Sequence, residues 1–344
     1  MRIYFATNRN PNDVNNPTDF GSHFSPKGLT DLRFGYAEVS DANLDQYVLT
    51  VAPESLDVGL ANAKINNFSD QVLGSKTIFE TVQQEMLTQK QDCVILIHGF
   101  NTTFREAIQT AAKIKQFYGE SPMTYFLFTW PSDGSLLPFQ AYASDRDDAR
   151  ASGVALGRGL QKLASFLHGT RPEDYCGQSL HLFAHSMGGY ALRWALQGIK
   201  GSSGNALRRL LEQVILFAAD EDDDAFEFDY KLQSLPDMAR RVTIYHNASD
   251  KALVVSDFTK GNPDRLGAGG PRNSRTLPDK VSVVNCEPVI SFKEDPTGHQ
   301  YYRVNGTVKK DVLAVLKGTE PQDIKTRKYQ PDIRSYRLKR GKDA

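Results

Sequence analysis

Apolar and polar positions fall in alternating blocks along this chain. Residues 93–97 (CVILI), 124–129 (TYFLFT), 180–184 (LHLFA), 213–218 (QVILFA), 241–245 (RVTIY) and 281–285 (VSVVN) are short runs rich in Val, Ile, Leu and Phe. Runs apolar on both sides predict strands covered by helices on both faces. Between them apolar residues recur at helical spacing. Ile78, Phe79, Val82, Met86 and Leu87 place a helix over 75–88. The same reading gives helices over 103–117, 145–167, 187–199, around 224–240 and over 307–317. Before residue 70 the chain is rich in Asn, Asp, Gly and Pro, with strand-like runs at 2–6, 33–39 and 47–51. The pattern predicts an α/β fold: one domain over 1–317, a mainly parallel doubly wound sheet with an antiparallel N-terminal edge in 1–75.

Composition narrows the picture without changing it. The 344 residues are 40% hydrophobic and 24% charged, enough for a sizeable core. Lys+Arg and Asp+Glu both total 41, which gives no support to nucleic acid or a polyanion as partner. No run approaches about 18 apolar residues, so no transmembrane segment is expected. The N-terminus turns polar too early for a secretory signal. Cys93, Cys176 and Cys286 are odd in number and widely spaced, implying neither a disulfide framework nor a metal-ligand pair. A reducing cytoplasm fits that usage. Residues 318–344 carry eight basic and four acidic side chains and read as a basic tail, docked on the surface or frayed.

Two junctions carry chemistry. In 180–189 an apolar run ends at Ala184-His185-Ser186-Met187-Gly188-Gly189, followed by a helical pattern. A serine hydroxyl becomes a nucleophile when a sharp strand-to-helix turn lifts it clear and a base takes its proton. Small residues two places either side permit that turn; Ala184 and Gly188 supply them. In 94–101 a second run stops at His98-Gly99-Phe100-Asn101. This loop and the residue after the nucleophile are the places from which backbone N–H groups reach an oxyanion. Phe100 and Met187 are therefore the candidate donors, and the His98 side chain reads as a loop-shaping group.

Of the seven histidines, only His299 follows the strand at 281–285, where the chain order serine, acid, histidine puts the base. Asp250, just past the strand at 241–245, is the expected acid, with Asp220 as the alternative. The acidic run 220–224 lacks the His or Gly spacing of a metal site, so no metal or cofactor is expected, and it reads as a solvated helix start. Phe100, Trp130 and the apolar loop 136–139 are candidates for a substrate pocket.

With these residues in hand, the chain resembles the α/β-hydrolase superfamily. More narrowly it resembles a mostly bacterial esterase/lipase-like family long catalogued as a domain of unknown function. The matching stretches include ATNR (6–9), VILIHGFNTTFREA (94–107), FTWPSDGS (128–135), YASDRDDA (142–149), LFAHSMGGY (182–190), AADEDDDAF (218–226), YHNASDKAL (245–253) and GHQYYRVN (298–305). The resemblance implies a Ser186–Asp250–His299 triad hydrolysing a small-molecule carboxylic ester, and no particular substrate. Acyl transfer, or amide or thioester hydrolysis, by the same triad stays open, as does a non-catalytic binding module. Oligomeric state is not legible.

Overall fold

A computed structural model describes residues 1–52, 74–132, 138–169, 176–203, 207–253 and 264–340. The expected apolar loop at 136–137 lies outside them, as do the side chains of Pro138 and Phe139. The apolar runs form strands of one 11-stranded sheet. They are β1 (Arg2–Thr7), β4 (Arg33–Val39), β5 (Tyr47–Val51), β6 (Cys93–Ile97), β7 (Thr124–Thr129), β8 (Leu180–His185), β9 (Leu211–Phe217), β10 (Ala239–His246), β11 (Val281–Asn285), β12 (Arg327–Gln330) and β13 (Ser335–Leu338). Strands β2 (Arg9–Pro11) and β3 (Phe20–Phe24) make a separate hairpin that the periodicity did not reveal.

The sheet order is β12-β13-β11-β10-β9-β8-β6-β7-β1-β4-β5. From β13 to β1 every neighbouring pair is parallel; β1–β4, β4–β5 and β12–β13 are antiparallel. After β6 the chain moves one way to β7, then returns to place β8 on the other side. That reversal opens a crevice at the C-terminal ends of β6 and β8, where open α/β sheets bind ligands.

Helices α1 (Gly74–Gln89), α3 (Pro138–Gly169) and α4 (Met187–Ser202) cover one face, and α2 (Phe104–Phe117) and α5 (Gly306–Leu316) the other. Each face is a continuous apolar cluster. Ile78, Phe79, Leu156 and Leu192 pack with Ile95, Leu182 and Val214; Phe104, Ile108 and Val312 pack with Leu96, Phe183 and Ile215. The fold is that of an α/β hydrolase.

Three expectations need correction. The helix around 224–240 is absent. Ala225, Glu227 and Lys231 donate to the carbonyls of Asp222, Asp224 and Phe228, a series of three-residue turns, followed by a 3₁₀ turn at Leu235–Met238. The acidic side chains are also not a solvated helix start. Asp222 meets Arg265 at 2.8 Å and Lys231 at 2.9 Å, Asp223 meets Arg272 at 2.8 Å, and Asp224 meets Lys231. Burying charge requires partners, and those partners dictate the backbone here. Nor are residues 318–340 a simple basic tail. β13 joins the sheet beside β11, and buried Arg327 binds Asp311 of α5 at 2.7 Å, with Tyr245 donating to the same carboxylate at 2.5 Å.

Candidate active site

Ser186 sits between β8 and α4 with φ 53° and ψ −126°, a left-handed conformation that a non-glycine residue rarely adopts. Its N–H donates to Phe217 O at 3.0 Å, and its carbonyl accepts from Asp220 N–H at 3.0 Å and Gly189 N–H at 2.9 Å. The turn is thus pinned to the end of β9. Close approach dictates the glycines around it. A Cβ on Gly188 would lie 2.6 Å from Ile97 O and 2.7 Å from His98 O, and one on Gly99 would lie 2.9 Å from Ser186 Cβ. The loop after β6 therefore lies directly against the serine.

That loop is held by side chains from elsewhere. His98 Nδ1–H donates to Gly99 O at 2.8 Å, and His98 Nε2 accepts from Trp130 N–H at 3.2 Å. Thr129 Oγ1 lies 3.1 Å from His98 Nε2. Fully buried Arg9 spans Thr129 Oγ1 at 3.0 Å, Gly21 O at 3.1 Å and Thr102 O at 2.6 Å. Burial, aided by Arg9, pushes the His98 pKa down to about 3, so the ring stays neutral, as a loop-shaping group should. Fully buried Asp145 accepts from Asn101 N–H at 3.0 Å and from the Ser132 hydroxyl, whose oxygen accepts from Thr102 N–H at 3.0 Å. Asn101 itself takes φ 54°. Beyond this loop, Thr103 and Glu106 close a capping box that starts α2.

Asp250 Oδ2 lies 2.6 Å from His299 Nδ1. Its other oxygen accepts from Ala252 N–H at 2.9 Å and Leu253 N–H at 3.2 Å, so both lone-pair sets are committed. Asp220 does not occupy that position. Its carboxylate accepts from the Tyr142 hydroxyl at 2.6 Å and faces Arg265 Nε at 3.4 Å. His185, the residue before the serine, donates from Nε2 to His299 O at 3.1 Å; its ring lies 4.6 Å from the His299 ring and stacks on Tyr302. Burial, and then His299, hold the His185 pKa well below the ordinary value.

Ser186, His299, Phe100 and Asp220 line one cleft of about 580 Å³. Met187 begins α4 with its side chain buried; its N–H is among those a helix start leaves without an intrahelical acceptor. Trp130, expected in the substrate pocket, is not among the cleft residues. It is fully buried, stacked 5.1 Å from His98, with its indole N–H donating to His98 O at 3.1 Å. The indole packs behind the loop, so it shapes the wall without facing the cleft. Arg9, Ser132, Asp145, Tyr142, His185 and Tyr302 had no assigned role in the sequence. ATNR, FTWPSDGS, YASDRDDA, LFAHSMGGY and GHQYYRVN were the signals that could have found them. Among the described residues, no group of three or more His, Cys, Asp or Glu side chains could hold a metal.

A parallel sheet with a strained serine and a paired Asp–His at its carboxyl edge defines the α/β-hydrolase class. Residues 75–316 match the family described as "Alpha/beta hydrolase of unknown function (DUF900)", and the chain belongs to it. No curated protein matches the chain. A solved structure described as "putative cell surface hydrolase from Lactobacillus plantarum WCFS1" is similar over 68% of this chain and 95% of that one, at 12% identity and a TM-score of 0.33. Among the described residues, no helix is long and apolar enough to cross a membrane.

Proposed function

We propose that this protein is a serine hydrolase that cleaves carboxylic esters through an acyl-enzyme on Ser186. The observation that carries the reading is the 2.6 Å contact between Asp250 and His299, in the same cleft as a serine held at φ 53°. Asp250 keeps the proton on His299 Nδ1, which leaves Nε2 as the basic nitrogen. His299 takes the Ser186 proton as Oγ adds to the ester carbonyl. The N–H groups of Phe100 and Met187 receive the oxyanion. The alcohol leaves with the proton from His299. Water, deprotonated by the same nitrogen, then releases the acid and restores Ser186. No cofactor enters these steps. Three free cysteines, two of them buried, support a reducing, cytoplasmic setting.

Labelling with a fluorophosphonate probe followed by peptide mapping tests the reading. Modification confined to Ser186, and lost in Ser186→Ala, is the expected result. Full ester turnover by Ser186→Ala would overturn it.

A further inference from the structure

The cleft wall combines apolar side chains such as Phe100, Leu253 and Tyr302 with a polar, charged stretch. Glu106, Gln109, Thr110 and Lys113 line it from one face of α2, at the i, i+3, i+4 and i+7 positions of a helical stripe. Gln300 and Arg303 line it from the segment that follows His299. The carboxylates and cations of this wall are unequally engaged. Asp220 is held by Tyr142 and Arg265, and Glu106 is used in the capping box with Thr103. Lys113 and Arg303 make no ion pair with any described residue. Arg303 is half-buried, and only its Nε–H is used, donating to Gln300 Oε1 at 2.8 Å. A guanidinium with its two Nη groups unpaired in a partly desolvated cleft is suited to bidentate recognition of a carboxylate.

We propose that Arg303 and Lys113 form an anion subsite that selects esters carrying a second, ionised carboxylate, that is, half-esters of short dicarboxylic acids. This rests on the hydrolase reading for the ester, though the anion subsite itself is independent of turnover. Arg303 supplies the directional contact. Lys113, exposed on α2, adds charge along the same cleft. Neutral esters leave the guanidinium unpaired and gain nothing from the cations of this wall.

Binding to Ser186→Ala, which cannot turn over the ligand, separates the two questions. Monomethyl glutarate should bind about tenfold more tightly than dimethyl glutarate, the worth of a hydrogen-bonded charged contact. The preference should shrink at high salt, where exposed charges are screened. It should vanish in an Arg303→Gln, Lys113→Gln double variant and be partly kept by Arg303→Lys. Equal binding of the two esters, absence of binding by both, or a preference surviving the double substitution would overturn the subsite. In the wild-type protein, mono-4-nitrophenyl glutarate should be hydrolysed faster than 4-nitrophenyl pentanoate. If neither is hydrolysed while the binding preference persists, the hydrolase reading fails and the subsite stands.

Discussion

Arg9 Nη2 donates to Thr102 O at 2.6 Å, joining the N-terminal hairpin to the loop beside Ser186 across 93 residues of sequence. The same guanidinium reaches Thr129 and Gly21, so one buried side chain fixes the loop, the end of β7 and β3 together. Arg9→Ala should cost roughly 2–4 kcal/mol, because it leaves buried acceptors unmatched. Urea unfolding measures that loss. Arg9→Lys should recover only part of it, since one ammonium cannot span three acceptors in a fixed fork.

The strained serine separates stability from activity. Ser186→Ala should remove esterase activity by about 10⁴- to 10⁶-fold with the fold intact. Ser186→Gly should be equally inactive yet more stable than Ser186→Ala by about 1 kcal/mol, because glycine relieves the positive φ. Equal melting temperatures for the two variants would show that the turn stores no strain.

Asp250 and Asp220 should behave differently. Asp250→Asn should slow hydrolysis by about 10³- to 10⁴-fold through the wrong imidazole tautomer. Asp220→Asn should act mainly on stability, by roughly 1–3 kcal/mol, since it weakens a buried contact to Tyr142 and Arg265. A larger kinetic loss in Asp220→Asn than in Asp250→Asn would reverse the assignment.

This pair also shows what the sequence makes legible. Chain order put Asp250 with His299, and the strand-to-helix bend at Ser186 was readable from an apolar run meeting small residues. The central strands announced themselves because both faces are buried. Elements stabilised by distant charge did not. The acidic run 220–224 looks helical until Arg193, Lys231, Arg265 and Arg272 are seen around it. The segment beyond 317 looks solvated because its buried charge, Arg327, finds Asp311 only in the fold. Trp130 was misread for a related reason: an aromatic residue at a strand end can face the cleft or back the loop, and local pattern does not distinguish the two. Asp145 lies 44 residues from its backbone partner at Asn101, beyond the reach of any periodicity.

Acid should destabilise the protein below neutral pH. His98 is held neutral in the fold with a pKa of about 3, while the unfolded chain titrates near the ordinary 6.5. Between these values the unfolded state binds more protons, so stability falls as pH falls from about 6.5 toward 3. His98 alone should contribute a slope of up to about 1.4 kcal/mol per pH unit, and His185 adds to it in the same direction. Denaturant midpoints measured across pH 4–7 check this. His98→Asn should flatten the slope even though the variant is less stable at pH 7.

The Asp311–Arg327 pair gives the maturation of this protein a direction. Every residue placed at the cleft lies before residue 304, yet the side of β11 facing away from β10 is covered only when β13 arrives. A ribosome-bound chain that has already released His299 still carries an open sheet edge and a buried carboxylate awaiting its cation. The residues of the cleft and the strand that closes the edge beside β11 thus leave the ribosome at different moments, the second after the first.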